Sequence, residues 1–391
     1  LKSCQRFWGD KLYMNILFPF VGDSVGGSHW SAINLFVELK KNKVISPKIV
    51  LHISDSPLSN LLDKMHIPYD SFPLNNFSGQ SSNLINISFL MLFHAPLIIK
   101  YIKDNDIDIV HGNDLRINLT WAMPTKLSSA KYVWHQRTHL SNSIKWNAIH
   151  YLSDFVVSIS SYVHNSLPSN LIRVSTECVK NPFDTETIYS KKISREAINT
   201  EYPFLKDVFL LGYVGRIVPW KRIENILYAL QKVVFHTNDT YKVYLIITGE
   251  GDTNYVNQIA NLIQFLGLND CVIMTGFVSN PSVTLAALDL LIASSYNEPF
   301  GRVVVEAMIQ KTPVLASKSG GHIETVVHNK TGLLYEKSSS NLLAEYICRV
   351  MSKNIDINPI VDVAYKEVVL EYSASKHSDK MISIYMKLVH G

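Results

Sequence analysis

Short runs rich in Ile, Val and Leu alternate along this chain with segments of helical length, and several of the runs close on Gly, Asn, Asp or Ser. The first half offers MNILFPF (14–20), PKIVLHIS (47–54), DIDIVHGND (106–114), AKYVWHQRT (130–138), DFVVSIS (154–160) and LIRVSTECVKNPFD (171–184). The second half offers VFLLGYVGRIV (208–218), YKVYLIITGEG (241–251), DCVIMTGFV (270–278), LDLLIASS (288–295), PVLASKSGG (313–321) and TGLLY (331–335). Continuous apolar runs suit strands covered on both faces, as in a parallel sheet flanked by helices. The alternation predicts an α/β protein, and its two series predict two doubly wound, Rossmann-like domains facing a cleft. The polar stretch 181–207, with a proline near each end, marks the boundary. This gives domains at 14–185 and 205–364, with a helical C-terminal segment at about 365–391.

Other stretches refine this picture. LINISFLMLFHAPLIIKYI (84–102) is long enough to consider as a membrane span, but Asn86, His94, Pro96 and Lys100 interrupt it. A helix broken near Pro96, packed in a core or lying on a membrane face, fits it better. LKSCQRFWGDKLY has neither the apolar segment nor the cleavage site of a signal peptide, and Met14 opens the first strand. Residues 1–13 therefore read as an N-terminal extension with no role in the fold.

Composition narrows the function classes. The chain has 391 residues, 47% of them hydrophobic and 18% charged, with a net charge of +4, too small to argue for nucleic acid. Residues 1–180 carry 17 Lys and Arg against 12 Asp and Glu, while residues 181–391 carry 20 against 21. A mildly basic first half fits an acidic substrate, an anionic membrane or ordinary solvated surface. Cys4, Cys178, Cys271 and Cys348 are widely spaced and form no CxxC pair, so they indicate neither a disulfide framework nor a metal site.

In an open α/β sheet, ligands bind beyond the carboxyl ends of the strands, where helix N-termini face anions. Four segments sit at such ends. In VGDSVGGSHW, Gly26 and Gly27 follow the first strand and would let backbone approach a phosphate or sugar; the pattern is not GxGxxG. In GYVGRIVPWKRIENIL, Arg216 and Lys221 stand beside a helix start, a suitable cradle for a diphosphate. In SSYNEPFGRVVVEA, the N–H groups of Gly301, Arg302 and Val303 open a helix. Glu306 lies one turn inside that helix, where a carboxylate matches adjacent ribose hydroxyls, and Glu298 stands before it for the hydroxyls of a sugar. In AKYVWHQRTH, His135 ends a strand. Each segment also has a plainer structural reading as a turn, a cap or a salt bridge. DNDID (104–108) precedes a strand and reads as a surface turn; GEG (249–251) is too short to identify a phosphate loop.

The motifs VGRIVPWKRIENIL, GEG, IMTGFV, ASSYNEPFGRVVVEAMIQKTPVLASKSGGHIETV and TGLLY, in that order and spacing, resemble the retaining nucleotide-sugar glycosyltransferases called glycosyl transferases group 1, or family 4. The resemblance is specific over residues 209–336 and looser before them, where Asn-Pro-Phe-Asp at 181–184 replaces the commoner Asn-Gly-Val-Asp. It implies the GT-B architecture, with a last helix that returns to the first domain. It also implies transfer of a sugar from a nucleoside diphosphate sugar to an acceptor hydroxyl with retention. By resemblance, Arg216 and Lys221 neutralise the diphosphate, Glu298 and Glu306 form an E-x7-E pair, and Phe300, Gly301 and Arg302 offer backbone amides. Gly276, Phe277 and Val278 lie against the base, Gly26 and Gly27 approach the donor, and His135 stands beside the transferred sugar. No cofactor and no obligatory metal are implied. The expected acceptor is an oligosaccharide or polyprenyl-linked glycan, as in bacterial surface-polysaccharide assembly, with a cytoplasmic protein peripheral to the membrane. Alternatives are a catalytically silent nucleotide-sugar-binding partner and a same-fold epimerase.

Overall fold

A computed structural model describes residues 13–74, 83–168, 174–237 and 242–390. Residues 1–12 of the predicted extension lie outside them; Tyr13 is exposed. The chain divides into two units. One runs through Asp184 and resumes at Tyr372, and the other is Thr185–Glu371.

In the first unit the elements are β1 (Met14–Phe20), α1 (Gly27–Lys40), β2 (Ile45–Leu51), α2 (Pro57–Lys64), β3 (Asp70–Ser71), α3 (Leu84–Asp104) and β4 (Ile109–Gly112). There follow α4 (Leu115–Lys126), β5 (Lys131–Gln136), α5 (Ile144–Leu152), β6 (Phe155–Ser158), α6 (Ser161–His164) and β7 (Ser175–Cys178). The strands form one parallel sheet in the order β3-β2-β1-β4-β5-β6-β7. Six of the seven residues of β1 are buried, the unbroken apolar signature of a strand covered on both sides.

The second unit holds α7 (Lys191–Glu201), β8 (Phe209–Val214), a 3-10 turn at Pro219–Lys221, α8 (Ile223–Thr237), β9 (Val243–Thr248), α9 (Thr253–Phe265) and β10 (Val272–Gly276). It continues through α10 (Pro281–Ala287), β11 (Leu290–Ala293), α11 (Arg302–Ile309), β12 (Val314–Ser317), α12 (His322–Thr325), β13 (Leu333–Tyr335), α13 (Ser340–Met351) and α14 (Asn358–Tyr372). Its sheet is also parallel, in the order β10-β9-β8-β11-β12-β13. Strand order reverses between β8 and β11, which is where an open α/β sheet leaves a crevice for ligand.

Two details differ from the sequence reading. The tail is not one helix: α14 ends at Tyr372 and α15 (Ala374–His390) begins after Ser373. Phe183 inserts its backbone at that break, donating from its N–H to Tyr372 O and accepting from Ala374 N–H. α15 then packs into the first unit's core, with Met381, Ile384 and Tyr385 buried against β1 and α1 side chains. Likewise α3 is not broken at Pro96 and runs unbroken through it. On its inner stripe, at helical spacing, Ile87, Met91, Ile98 and Ile102 join the core and Ala95 is buried among them, whereas Pro96 faces outward. On that outer face Ile85, Phe89, Leu92, Phe93 and Leu97 are 52–77% exposed. Among the described residues, α3 contains the one helix long and apolar enough to cross a membrane by length and composition.

Candidate functional site

The loops leaving β8 and β11 build the site of the second unit. After β8 the chain passes through Gly215 (φ 148°) and exposed Arg216. The GEG segment lies directly alongside. Gly215 N–H donates to Thr248 O and Ile217 N–H to Glu250 O. A Cβ on Gly249 would stand 2.0 Å from Gly215 O, and one on Gly251 would stand 1.7 Å from Ile217 O. These glycines let two backbones run in contact beneath Arg216, a role the sequence alone did not disclose.

The segment between β11 and α11 is held from two sides. Ser294 Oγ donates to Lys221 O and Tyr296 N–H to Trp220 O, which ties the loop to the 3-10 turn. Asn297 (φ 58°) donates its N–H to Ser319 Oγ, and Gly321 N–H donates to Glu298 O. The Gly320-Gly321 turn can lie this close only without side chains. A Cβ on Gly320 would be 2.3 Å from Glu298 O, and one on Gly321 would be 2.6 Å from Phe300 Cα. Gly301 caps α11 in the left-handed region (φ 90°, ψ 53°). By helix geometry the first N–H groups of α11, at Arg302 and Val303, lack acceptors within the helix and point outward with the positive end of its dipole.

Both glutamates find cations. Lys221 Nζ lies 2.7 Å from Glu298 Oε2 and 4.3 Å from the Trp220 ring centre. Trp220 thus shields the ammonium with an aromatic face. Burial pushes the Glu298 carboxyl up, but Lys221, His322 and a hydrogen bond from Ser295 outweigh it and hold the group below its usual range. Arg302 Nη2 lies 3.2 Å from Glu306 Oε1 one helical turn on. Phe300 is buried. His322 sits beneath the loop, fully buried, and burial holds its imidazole down to about 4. Sequence reasoning quoted its motif but gave it no part.

At the end of β10, Gly276 (φ 70°) accepts from Gly249 N–H, Phe277 is 70% exposed and Val278 is half-buried. A bare aromatic ring at a strand's carboxyl end is a surface on which a flat base can stack.

The remaining predicted residues lie in the first unit. Gly26 is the N-cap of α1 and Gly27 its first residue; a Cβ on Gly26 would meet nothing nearer than His29 Nδ1 at 4.0 Å. His135 is fully buried in a polar cluster, with Nδ1 3.0 Å from His111 Nε2 and 3.3 Å from Arg137 Nη2. Arg137 also reaches the side-chain oxygens of Asn113 and Asn181, and His377 of α15 stacks over His135 at 6.0 Å. Burial first, then Arg137, His111 and His377, keep His135 well below the ordinary histidine range, so it is neutral at pH 7.

Known proteins share part of this sequence and its fold. Residues 194–366, within the second unit, match the family described as Glycosyl transferases group 1. The capsular polysaccharide biosynthesis glycosyltransferase CapM of Staphylococcus aureus is 27% identical over 237 residues, 60% of this chain and 61% of CapM. A poly(ribitol-phosphate) alpha-N-acetylglucosaminyltransferase of the same species is 26% identical over 261 residues, 63% of this chain and 52% of that protein. The chain thus spans half to three-fifths of the length of these curated relatives. Among solved structures, HepE of Anabaena in complex with UDP and glucose superposes with a TM-score of 0.80 at 22% identity, covering 95% of this chain and 99% of HepE. The two parallel sheets and their helices are those of GT-B glycosyltransferase structures.

Proposed function

We propose that this chain is a retaining glycosyltransferase of family 4 that moves a hexosyl group from a nucleoside diphosphate sugar to an acceptor hydroxyl. The observation that carries the reading is the Lys221–Glu298 pair set beside the capped N-terminus of α11, with Glu306 one turn behind. The diphosphate lies against the N–H groups of Gly301, Arg302 and Val303 and draws Lys221 and Arg216 to itself. Once Lys221 turns to the phosphates, Glu298 is released to accept from hydroxyls of the donor sugar. Glu306 accepts from the ribose hydroxyls, and the base rests by Gly276, Phe277 and Val278.

The acceptor oxygen forms the new bond to the anomeric carbon on the face from which the diphosphate leaves. The old C–O bond gives its electron pair to the diphosphate, and the acceptor proton passes to that leaving phosphate. Arg216, Lys221 and the α11 N-terminus stabilise the charge that grows there, so no obligatory metal or cofactor is required by this scheme. Removing one such donor costs about 3 kcal/mol in the transition state. HepE is named with UDP and glucose, and CapM and the ribitol-phosphate enzyme are named for cell-surface polymers. These names support a surface-polysaccharide acceptor. The apolar outer face of α3, beside a groove of about 380 Å³ lined by Leu74, Phe89, Phe93 and Leu97, supports an acceptor presented on a lipid at a membrane surface.

Thermal unfolding with UDP, GDP, ADP and their sugars tests the reading, with Glu306→Ala alongside. A ligand at about 100 times its Kd stabilises by about 2.7 kcal/mol. One nucleotide series should shift the wild type and not the variant. If none shifts the wild type, the nucleotide-sugar reading fails.

A further inference from the structure

Among the buried titratable groups of the second unit, His322 has no part in the scheme above. Its Nδ1 lies 3.2 Å from both the carbonyl oxygen and Oγ of Ser317. Ser317 Oγ donates its proton to Ser295 O at 2.6 Å, so both Ser317 atoms act as acceptors toward the ring. The imidazole proton therefore belongs on Nδ1, and Nε2 carries a bare lone pair. That nitrogen is buried and has no hydrogen-bond partner. Buried polar atoms left in this condition are few in folded proteins and call for a reason.

Gly301 shows where Nε2 stands. A Cβ on Gly301 would lie 2.7 Å from His322 Cδ2, 3.2 Å from Nε2 and 3.7 Å from Glu298 Cγ. The orphan nitrogen thus abuts the cap of α11, the end of a helix suited to receive an anion. We propose that His322 Nε2 takes up a proton when a nucleoside diphosphate sugar binds and, as an imidazolium, donates a hydrogen bond to a phosphate oxygen at the N-terminus of α11. This rests on the nucleotide-sugar reading.

The charges around the ring make such uptake possible. Burial lowers its proton affinity most; the Glu298 carboxylate raises it, the Lys221 ammonium lowers it, and the bond to Ser317 O raises it. A diphosphate brings new negative charge to the α11 cap and draws Lys221 away, so both changes favour the imidazolium. One proton moves from solvent to Nε2, and the diphosphate stays fully ionised. The chain then meets the leaving group with a third cation beside Lys221 and Arg216.

Calorimetric titration with UDP-glucose, UDP-GlcNAc, GDP-mannose and ADP-glucose, in two buffers of different ionisation enthalpy at about pH 6.5, counts the protons taken up. The sugar nucleotide that binds should bring close to one proton per site into the wild type and none into His322→Gln. Imidazole ¹⁵N shifts of the labelled wild type give the same answer without a substitution: Nε2 should become protonated only in the complex. Binding with equal uptake by both proteins, or with Nε2 still bare in the complex, overturns the proposal while leaving the nucleotide-sugar reading intact. Absence of binding by all four compounds overturns that reading, and the role of His322 with it.

Discussion

Lys221→Met separates the structural from the chemical work of the Lys221–Glu298 pair. Methionine keeps most of the stem and removes the charge, leaving Glu298, only 8% exposed, without its ammonium at 2.7 Å. Breaking a buried pair from one side costs about 3–5 kcal/mol. At about 2–4 °C per kcal/mol for a unit of this size, the second unit should melt roughly 10 °C lower. The pH dependence is the sharper signature. In the wild type, the folded carboxyl is held below its usual range despite burial, so it contributes stability above the unfolded pKa that is lost as pH falls. Without Lys221, burial prevails and the folded pKa rises above the unfolded one. The penalty is then greatest near neutrality and is relieved as pH falls through the raised pKa. Calorimetric scans from about pH 4.5 to 7.5 should show the wild-type advantage shrinking toward acid. Lys221→Met with Glu298→Gln should recover most of the stability but no sugar transfer. A loss below about 1 kcal/mol that is flat with pH would refute the pair as described.

Gly320→Ala should push the Glu298 backbone, because its Cβ would lie 2.3 Å from Glu298 O at a φ of 54°. A loss of about 2–4 kcal/mol and a fall of at least about tenfold in kcat are expected by calorimetry and transfer assay. Gly267→Ala is the control: its φ is 69° but nothing lies within 4 Å, so about 1 kcal/mol is lost and activity stays. The first unit should be acid-sensitive. Burial holds His377 to about 3 and His52 to about 4, below their unfolded values. The unfolded chain therefore binds more protons, and stability present above about pH 6.5 is lost as pH falls, by up to about 1.4 kcal/mol per unit for each ring. Urea unfolding at a series of pH values should show this slope, and His377→Phe should reduce it.

Much of this was legible in the sequence because burial leaves an unbroken mark. MNILFPF and LDLLIASS lie in strands covered on both faces, and the spacing of Glu298 and Glu306 places one before and one inside the same helix. What stayed hidden depended on partners far along the chain. GEG says nothing by itself; its glycines matter because parallel pairing lays them on Gly215 and Ile217. The bare nitrogen of His322 depends on Ser317 being committed to Ser295 and on the missing Cβ of Gly301. Pro96 signalled a break, yet it falls on the outer face of α3 while the inner stripe continues through it. The single tail helix was split because Phe183, nearly two hundred residues earlier, inserts its backbone at Ser373.

That return of the chain has a consequence for synthesis. The second unit is contiguous, Thr185–Glu371, and every strand of its sheet is synthesised before α15. The first unit, though written first, still lacks Met381, Ile384 and Tyr385 from its core at that stage. The nascent chain must keep an apolar gap open along β1 and α1 while some two hundred residues are added at about 5–20 per second. The units are thus completed in the reverse of their order in the message. A chain ending at Tyr372 would present a complete second unit tethered to a first one without α15, the species on which a chaperone would act.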